Sequence, residues 1–235
     1  RMPHTWMWLW DSCFHSLAMN LLEDIPTNVH NDKFGVSSTI KNNLTGIDVS
    51  WEYLKSVLDA ASLDGGIAIQ RTPETAGRKK VDQTQPPLLS WSVWQNYRAA
   101  INSCSSNGSK DLCTVEALNR LKYAFPRLEG YLKWDIRERT DPSKQTNLLS
   151  WVKGTESGMD NSQRFDANVT NPGNVRSMLA VDFSTFFALD ASNLALIAKA
   201  LGNTTAFSTW SNLSSKMSSE IHNLLWDDKN KMYMD

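Results

Sequence analysis

The sequence has few of the features that define several large classes of protein. Its 24 basic and 25 acidic residues are interspersed and leave a formal net charge of −1, so it has neither a basic face for nucleic acid nor an acidic tail. No apolar run is long enough to predict a membrane segment. The four histidines show no metal-ligand spacing, and no glycine-rich phosphate loop occurs. We therefore predict a neutral partner, no nucleic acid, no metal and no cofactor.

Alternating Val- and Ile-rich strands are also absent, although the chain has 41% hydrophobic residues and ten tryptophans, which is typical of a packed globular protein. The apolar spacing is helical instead. Pro86 and Pro87 suit a first helical turn, and Pro126 predicts a kink. The predicted helices span residues 11–22, 48–63, 86–104, 114 to at least 132, 178–202 and 205–226. Six helices joined in pairs predict an all-α fold resembling half of an α/α toroid.

Three long segments without helical periodicity separate these helices, at residues 28–47, 67–85 and 147–175. Connections in compact domains are usually a few residues long, and longer ones often carry binding or catalytic groups. Neither end of the chain looks like a natural terminus, because Arg1 stands where Met is expected and the last residues do not become polar. We expect an excerpt of a longer polypeptide.

Cysteine usage and glycosylation sequons indicate the compartment only weakly. Cys104 and Cys113 flank a short polar loop and form a possible disulfide, whereas Cys13 lies in an apolar stretch and is interpreted as a buried small hydrophobe. The sequons exceed chance only slightly, and they begin at Asn43, Asn107, Asn168, Asn203 and Asn212. Together these features favour a glycoprotein of the secretory pathway, a lysosome-type lumen or the extracellular space, with the cytoplasm as the alternative.

Residues 154–166 contain three carboxylates and Arg164 around Gly158. A carboxyl group that protonates a leaving oxygen must keep its proton near neutral pH, and burial beside another carboxylate raises its pKa in that direction. The alternative is a solvated loop in which Glu156 and its neighbours cap helices. The order Gly-Thr-Glu-Ser-Gly is not that of a nucleophile elbow, so serine-hydrolase chemistry is not predicted.

Two further clusters could contact a sugar. Trp6, Trp8 and Trp10 alternate directly before Asp11, and indole faces beside a carboxylate suit the apolar faces and hydroxyl groups of a pyranose. The alternative is that the tryptophans pack in the core and Asp11 caps the following helix. Gln85 precedes the Pro86-Pro87 pair, which alone marks only a helix start.

In this order the three clusters resemble the clan that unites trehalases with glycoside hydrolase family 63, and they are closest to family 63. The matching strings are Trp10-Asp11-Ser12-x-Phe14-His15, Gln85-Pro86-Pro87-Leu88-Leu89 and Glu156-Ser157-Gly158-Met159-Asp160-Asn161-Ser162-x-Arg164-Phe165-Asp166. Val181-Asp182-Phe183 resembles the start of the helix after the acid-bearing loop. The resemblance covers nearly the whole chain.

This resemblance implies that residues 1–235 form the N-terminal part of an (α/α)6 catalytic barrel. It implies an inverting α-glycosidase without cofactor, with Asp160 as general acid. The positions that match substrate contacts or adjoin the cleft are Trp10, Asp11, Gln85, Glu156, Gly158 and Arg164. The expected partners are a carbohydrate substrate and the rest of the catalytic domain, in the same polypeptide or in a second chain.

The sequence departs from the family in two ways. Gln163 stands where many relatives have Pro, and the family's general base is a Glu beyond these residues, so no base is assigned. Family members act on glucosyl oligosaccharides, N-glycan precursors, mannosylglycerate or glucosylglycerate. The sequence of residues 10–15 is more similar to the members that act on glycosylglycerates and to the microbial α-glucosidases. A non-catalytic carbohydrate-binding barrel is the alternative from another class; a polysaccharide lyase or a terpenoid cyclase is not supported by the residues present.

Overall fold

A computed structural model describes residues 7–22, 45–71, 80–104, 110–159, 162–165 and 175–235. Within these residues the chain is mainly helical, as predicted. The six α-helices are α1 (Leu9–Met19), α2 (Gly46–Leu58), α3 (Leu89–Cys104), α4 (Lys110–Arg139), α5 (Val181–Ala200) and α6 (Thr204–Leu225). Short 3-10 helices cover Pro142–Lys144, Gly154–Ser157 and Gln163–Phe165.

The helices pack as three consecutive hairpins. α1 packs on α2, α3 on α4 and α5 on α6, while α3 lies between α1 and α5. The helices α1, α3 and α5 thus form one row. Their hairpin partners α2, α4 and α6 form a second row packed against the first. Three hairpins are the number expected for half of an (α/α)6 barrel.

The hydrophobic core runs between the two rows and continues into the segment after α4. Its largest fully buried side chains include Tyr131 and Trp134 of α4, Phe183 of α5, and Trp151. The rings of Trp151 and Phe183 stack with centroids 3.8 Å apart and an interplanar angle of 11°. Aromatic stacking adds to the free energy gained by burying such large side chains. Trp151, at the start of the polar loop, is therefore fixed to the first turn of α5.

Several predicted helix ends need correction. α3 begins at Leu89 instead of residue 86, so both prolines precede the helix. α4 begins at Lys110, four residues before the predicted start, and continues through Pro126 without ending. α1 begins at Leu9, and its N-cap is Trp8, so Asp11 lies in the first helical turn and is not a cap.

Helix α5 is the most apolar element. By length and composition it could cross a membrane, but more than half of it is buried inside the protein. A helix packed on two sides by α3 and α6 needs an apolar surface over most of its circumference. Its composition is therefore explained by its place in the core.

All three cysteines are described. Cys104, the last residue of α3, forms a disulfide with Cys113 in the first turn of α4, with a Cα–Cα distance of 5.6 Å. Cys13 is free and fully buried, and burial raises the pKa of its thiol well above the usual range. The interpretation of Cys13 as a small core hydrophobe is confirmed.

Two short antiparallel ribbons accompany the helices. β1 (Met7–Trp8) pairs with β2 (Gln70–Arg71), with Trp8 opposite Gln70, and β3 (Trp226–Asp227) pairs with β4 (Met232–Tyr233). The first ribbon brings the segment before α1 beside the segment that follows α2. This pairing forms one wall of the candidate site.

Candidate active site

An open pocket of about 480 Å³ lies beside the N-terminus of α1. It is lined by residues from three separate parts of the chain: Trp8, Trp10, Asp11, Ile69, Gln70, Gln83, Gln85, Thr155 and Gly158. Asp11 is the one charged residue among these nine. Aromatic rings, amides and a carboxylate around a concave surface are typical of a site for a polyhydroxylated ligand.

A second pocket, of about 260 Å³, has a different character. Its lining is Glu138, Arg139, Thr140, Asp141, Ser150 and Arg176. This lining contains no aromatic side chain and is rich in charge, so it lacks the apolar surface on which a sugar ring stacks. We therefore take the larger pocket as the candidate active site.

Backbone hydrogen bonds join the segments that form the wall of the larger pocket. Leu9 N donates to Ile69 O at 3.2 Å, and Ile69 N donates to Gln83 O at 3.0 Å. These bonds extend the β1–β2 ribbon by a third segment. Residues directly opposite in an antiparallel ribbon point to the same side, which explains how Trp8 and its partner Gln70 come to line one pocket.

Gln85 connects the tryptophan segment to the start of α3. Its side chain is almost fully buried, and its Oε1 accepts a hydrogen bond from Trp10 N at 3.2 Å. The Tyr131 hydroxyl donates to Gln85 O at 3.1 Å. Both carbonyl oxygens of Gln85 thereby have partners, and its side-chain Nε2, which has no partner within the described residues, can donate to a ligand in the pocket.

Asp11 is exposed in the first turn of α1, so the alternative that it serves as a helix cap is wrong. Trp10 is half-buried between the core and the pocket. An edge-to-face row of rings continues from it to Phe14 and then to Trp91, with centroid distances of 5.8 and 6.3 Å. Trp10 thus serves both packing and the pocket, so the two interpretations were not exclusive for this residue. Trp8 lines the pocket, and Trp6 lies outside the described residues.

Gly158 brings the acidic loop, defined here as the segment 151–165 between Trp151 and Phe165, into contact with Trp10. Its φ is +72°, and a Cβ added there would lie 2.2 Å from Cζ2 of Trp10. Only glycine adopts this backbone conformation without strain and also leaves room for the indole. Gly158 therefore sets the distance between the acidic loop and the aromatic wall.

Glu156 connects the same loop to the segment before α3 and to the end of α4. Its side chain is fully buried, and Oε1 accepts from Thr84 N at 2.9 Å and from Arg139 Nη2 at 2.8 Å. Its Oε2 accepts from Val152 N at 2.6 Å and Lys153 N at 3.0 Å. A buried carboxylate with four donors, one of them a guanidinium, is fully compensated for its lost hydration.

Arg164 is held between two carboxylates. Its Nη2 lies 2.5 Å from Asp182 Oδ2, and its Nη1 lies 3.2 Å from Asp235 Oδ2. Asp235 also accepts from Val181 N at 2.8 Å, and burial raises the pKa of its carboxyl group. These contacts attach the end of the acidic loop to the start of α5.

Comparison with known proteins assigns the family. Residues 3–235 match the family model described as the mannosylglycerate hydrolase MGH1-like glycoside hydrolase domain. The chain belongs to this family. The family-63 resemblance carried by its three motifs is confirmed.

Two solved structures from Thermus thermophilus have the same fold. An uncharacterized conserved protein superposes with a TM-score of 0.64, and a GH63 mannosylglycerate hydrolase in complex with glucose superposes with a TM-score of 0.62, each at 19% identity. The alignments cover 98% of this chain but 60% and 61% of the solved chains. The chain thus spans about three-fifths of their length. Among curated proteins, none matches it. The predicted all-α, six-hairpin fold class is confirmed.

In this member of the family, four of the predicted site residues lie together. Trp10, Asp11, Gln85 and Gly158 line the same pocket. Glu156 and Arg164 are not among its lining residues, and the contacts described above are all with protein groups. Their direct contact with substrate stays a prediction. Asp160 lies outside the described residues, as do the predicted sequons at Asn43, Asn107 and Asn168.

Four lining residues were not predicted as ligand contacts, namely Ile69, Gln70, Gln83 and Thr155. Trp8 belongs to the tryptophan cluster for which a sugar contact was one of the two interpretations. Gln70 is the most informative, because its Oε1 is buried and has no hydrogen-bond partner within the described ranges. A buried amide oxygen in a pocket wall is a ready acceptor for a ligand hydroxyl. The strand that contains Gln70 has two residues, which is too short to predict from periodicity.

Proposed function

We propose that this chain supplies the general acid and part of the sugar-binding wall of an inverting α-glycoside hydrolase. The observation that carries the proposal is the pocket in which Trp10, Asp11, Gln85 and Gly158 meet, since these residues come from all three family motifs. Family membership supports a glycosidase. The inverting mechanism and the linkage are our inference.

Asp160 is the proposed general acid. It follows Gly158, a residue of the pocket lining, by two positions in the chain. In the proposed mechanism its carboxyl group protonates the glycosidic oxygen while a second carboxylate activates water on the opposite face of the ring. That base belongs to a part of the barrel beyond these residues. Inverting enzymes keep the two carboxyl groups roughly 6.5–9.5 Å apart, which leaves room for the water.

The remaining pocket residues bind and orient the sugar. Trp8 and Trp10 offer apolar faces, Asp11 accepts hydrogen bonds from hydroxyl groups, and Gln85 donates from its Nε2. Gln70 Oε1 accepts one further hydroxyl. Because charge-assisted hydrogen bonds to Asp11 strengthen as the ring flattens and acquires positive charge, they stabilise the transition state more than the bound substrate.

The pocket chemistry favours a neutral glycosyl unit. No cationic side chain is present among its nine lining residues, and the one charge is the carboxylate of Asp11. An anionic group placed here would be repelled, so a carboxylate such as that of a glycosylglycerate must be bound by another part of the enzyme. We propose an α-glucosyl or α-mannosyl unit, in an oligosaccharide or a small glycoside, as the substrate.

The test is NMR of the full-length enzyme acting on α-glucosides, α-mannosides and glycosylglycerates, with the first anomer released recorded. We expect the β-anomer, and a loss of turnover of at least about 100-fold in the D160N variant with an unchanged melting temperature. Release of the α-anomer would overturn the mechanism. Binding of sugars without turnover of any substrate would instead favour a non-catalytic carbohydrate-binding barrel.

We further propose an oxidising compartment, that is, the secretory pathway or a lumen it supplies. The Cys104–Cys113 disulfide supports this, because such bonds persist mainly outside the cytosol. The sequon residue Asn203 is exposed. Asn203 caps α6 through its Oδ1, which accepts from Ala206 N, so its Nδ2 is available for a glycan. A mass decrease after enzymatic deglycosylation would support the proposal, whereas a glycan-free, fully reduced native protein would place it in the cytoplasm.

A further inference from the structure

Asp182, the second residue of α5, holds three groups with one side chain. Its Oδ1 accepts from Trp151 Nε1 at 3.1 Å and from Phe183 N at 2.8 Å, and its Oδ2 lies 2.5 Å from Arg164 Nη2. The side chain is 11% exposed. At this depth, charge-assisted hydrogen bonds are stronger than at the surface.

Two of these partners are the ends of the acidic loop. Trp151 precedes the 3-10 turn Gly154–Ser157, and Arg164 lies in the 3-10 turn Gln163–Phe165. The ends also touch directly, because a Cβ at Gly154 would lie 2.8 Å from the Phe165 ring. Asp182 therefore closes the base of a loop whose sequence includes Asp160.

The contacts on each side are specific. Trp151 is buried and stacked on Phe183, so its indole N–H has a fixed direction toward Asp182. Arg164 lies over the Phe165 ring, with its guanidinium carbon 4.5 Å from the centroid. Among the described residues, removal of the Asp182 charge would leave Arg164 with Asp235 as its carboxylate partner and would weaken both ends of the loop together.

We propose that Asp182 is a positioning residue that holds the acidic loop so that Asp160 reaches the glycosidic oxygen. This rests on the proposed role of Asp160. In this proposal Arg164 has a structural role as a partner of Asp182. The family motif instead predicted a direct contact between Arg164 and the substrate. Proton transfer demands hydrogen-bond distance between acid and leaving oxygen, so a small displacement of the loop reduces the rate of chemistry more than the affinity for substrate.

The test compares two substrates of the full-length enzyme, a methyl α-glycoside and the α-glycosyl fluoride of the same sugar. Methoxide needs a proton to leave, whereas fluoride leaves with little help from an acid. For D182N we expect kcat on the methyl glycoside to fall about 10- to 100-fold with KM changed less than about threefold, and kcat on the fluoride to fall less than about threefold. D160N should show the same selectivity with a larger loss on the methyl glycoside.

The matched control is D228N, which removes an exposed carboxylate paired with Lys231. We expect it to leave kcat and KM unchanged on both substrates. Equal losses of D182N on both substrates, or wild-type kcat on the methyl glycoside, would overturn the proposal. If D160N is selective and D182N is not, the positioning role alone fails. If D160N itself retains wild-type turnover, the proposed function fails.

Discussion

Gly158 satisfies two requirements at one position, a left-handed backbone and space for an indole ring. We predict that G158A reduces kcat/KM at least about 10-fold, because the new Cβ would lie 2.2 Å from Trp10 and must displace either the acidic loop or the aromatic wall. The measurement is steady-state kinetics of the full-length enzyme.

G202A is a suitable control for the G158A variant. Gly202 has a similar φ of +74°, but no atom of the described residues lies within 4 Å of an added Cβ. The control therefore carries the backbone strain, roughly 1–2 kcal/mol, without the contact. If both variants lose the same activity, the indole contact is not the cause.

Asp190, buried in α5, makes stability depend on pH. Its Oδ1 accepts from Trp91 N at 2.9 Å, and burial, which outweighs the hydrogen bonds from Trp91 and Ser90, raises the pKa of its carboxyl group to about 6. The folded state thus holds a proton that the unfolded state releases near pH 4. The contribution of Asp190 to the free energy of unfolding should fall as pH rises from about 4 to about 6 and should not change further above that range.

We predict that D190N removes this contribution. Two pKa units correspond to about 3 kcal/mol, so the difference in unfolding free energy between D190N and wild type should rise by roughly that amount from about pH 4 to about pH 6.5. Urea unfolding at several pH values measures it. Carboxylates with lowered pKa, such as Asp48 and Asp64, make stability change with pH in the opposite direction. Their contributions cancel when the unfolding free energy of wild type is subtracted from that of D190N. A pH-independent difference would contradict the assignment.

At the scale of elements, the disulfide joins the last residue of α3 to the first turn of α4. It closes a loop with a sequence separation of 9, for which chain entropy predicts about 2–3 kcal/mol of stabilisation. We expect the C104S/C113S variant to lose about this free energy of unfolding and to become insensitive to reductant. The number of thiols that react with a thiol reagent in the native protein should be the same for C13S and wild type, because Cys13 is buried. A rapid reaction of Cys13 in the native protein would contradict this.

The helices themselves were largely predictable, because apolar spacing and Pro or Gly signals act over a few residues. All six were located, with ends displaced by a few residues. The start of α4 was missed because Thr114 and Glu116 imitate a helix cap, whereas Cys113 is already helical and bonded to Cys104. Three motifs, read from the sequence alone, also indicated four residues of one pocket.

At the scale of the molecule, helices α1 and α5 expose apolar side chains. Phe14, Leu189 and Leu196 are 45%, 39% and 38% exposed. The solved structures with this fold are longer, since the chain covers 60% and 61% of them. These residues are suited to packing against the rest of a barrel or to lining its central cleft.

We predict that a polypeptide limited to residues 1–235 hydrolyses no glycoside, because the proposed general base lies elsewhere. Activity should return when the remainder of the full-length protein is added as a separate polypeptide. Turnover assays of the two parts, alone and mixed, make the measurement. Turnover by residues 1–235 alone would place the base within this chain and would require a different assignment.

The sequence alone determined the fold class, the family and the identity of the candidate acid, because helical periodicity and the residues of a motif are local properties. Only the tertiary structure decided which residues share a pocket and which support it. Trp10 and Gln85 are 75 residues apart, Glu156 and Thr84 are 72 apart, and Asp182 contacts residues 31 and 18 positions earlier. Such contacts depend on how hairpins pack, since burial sets the partners of a polar group wherever they lie in the chain.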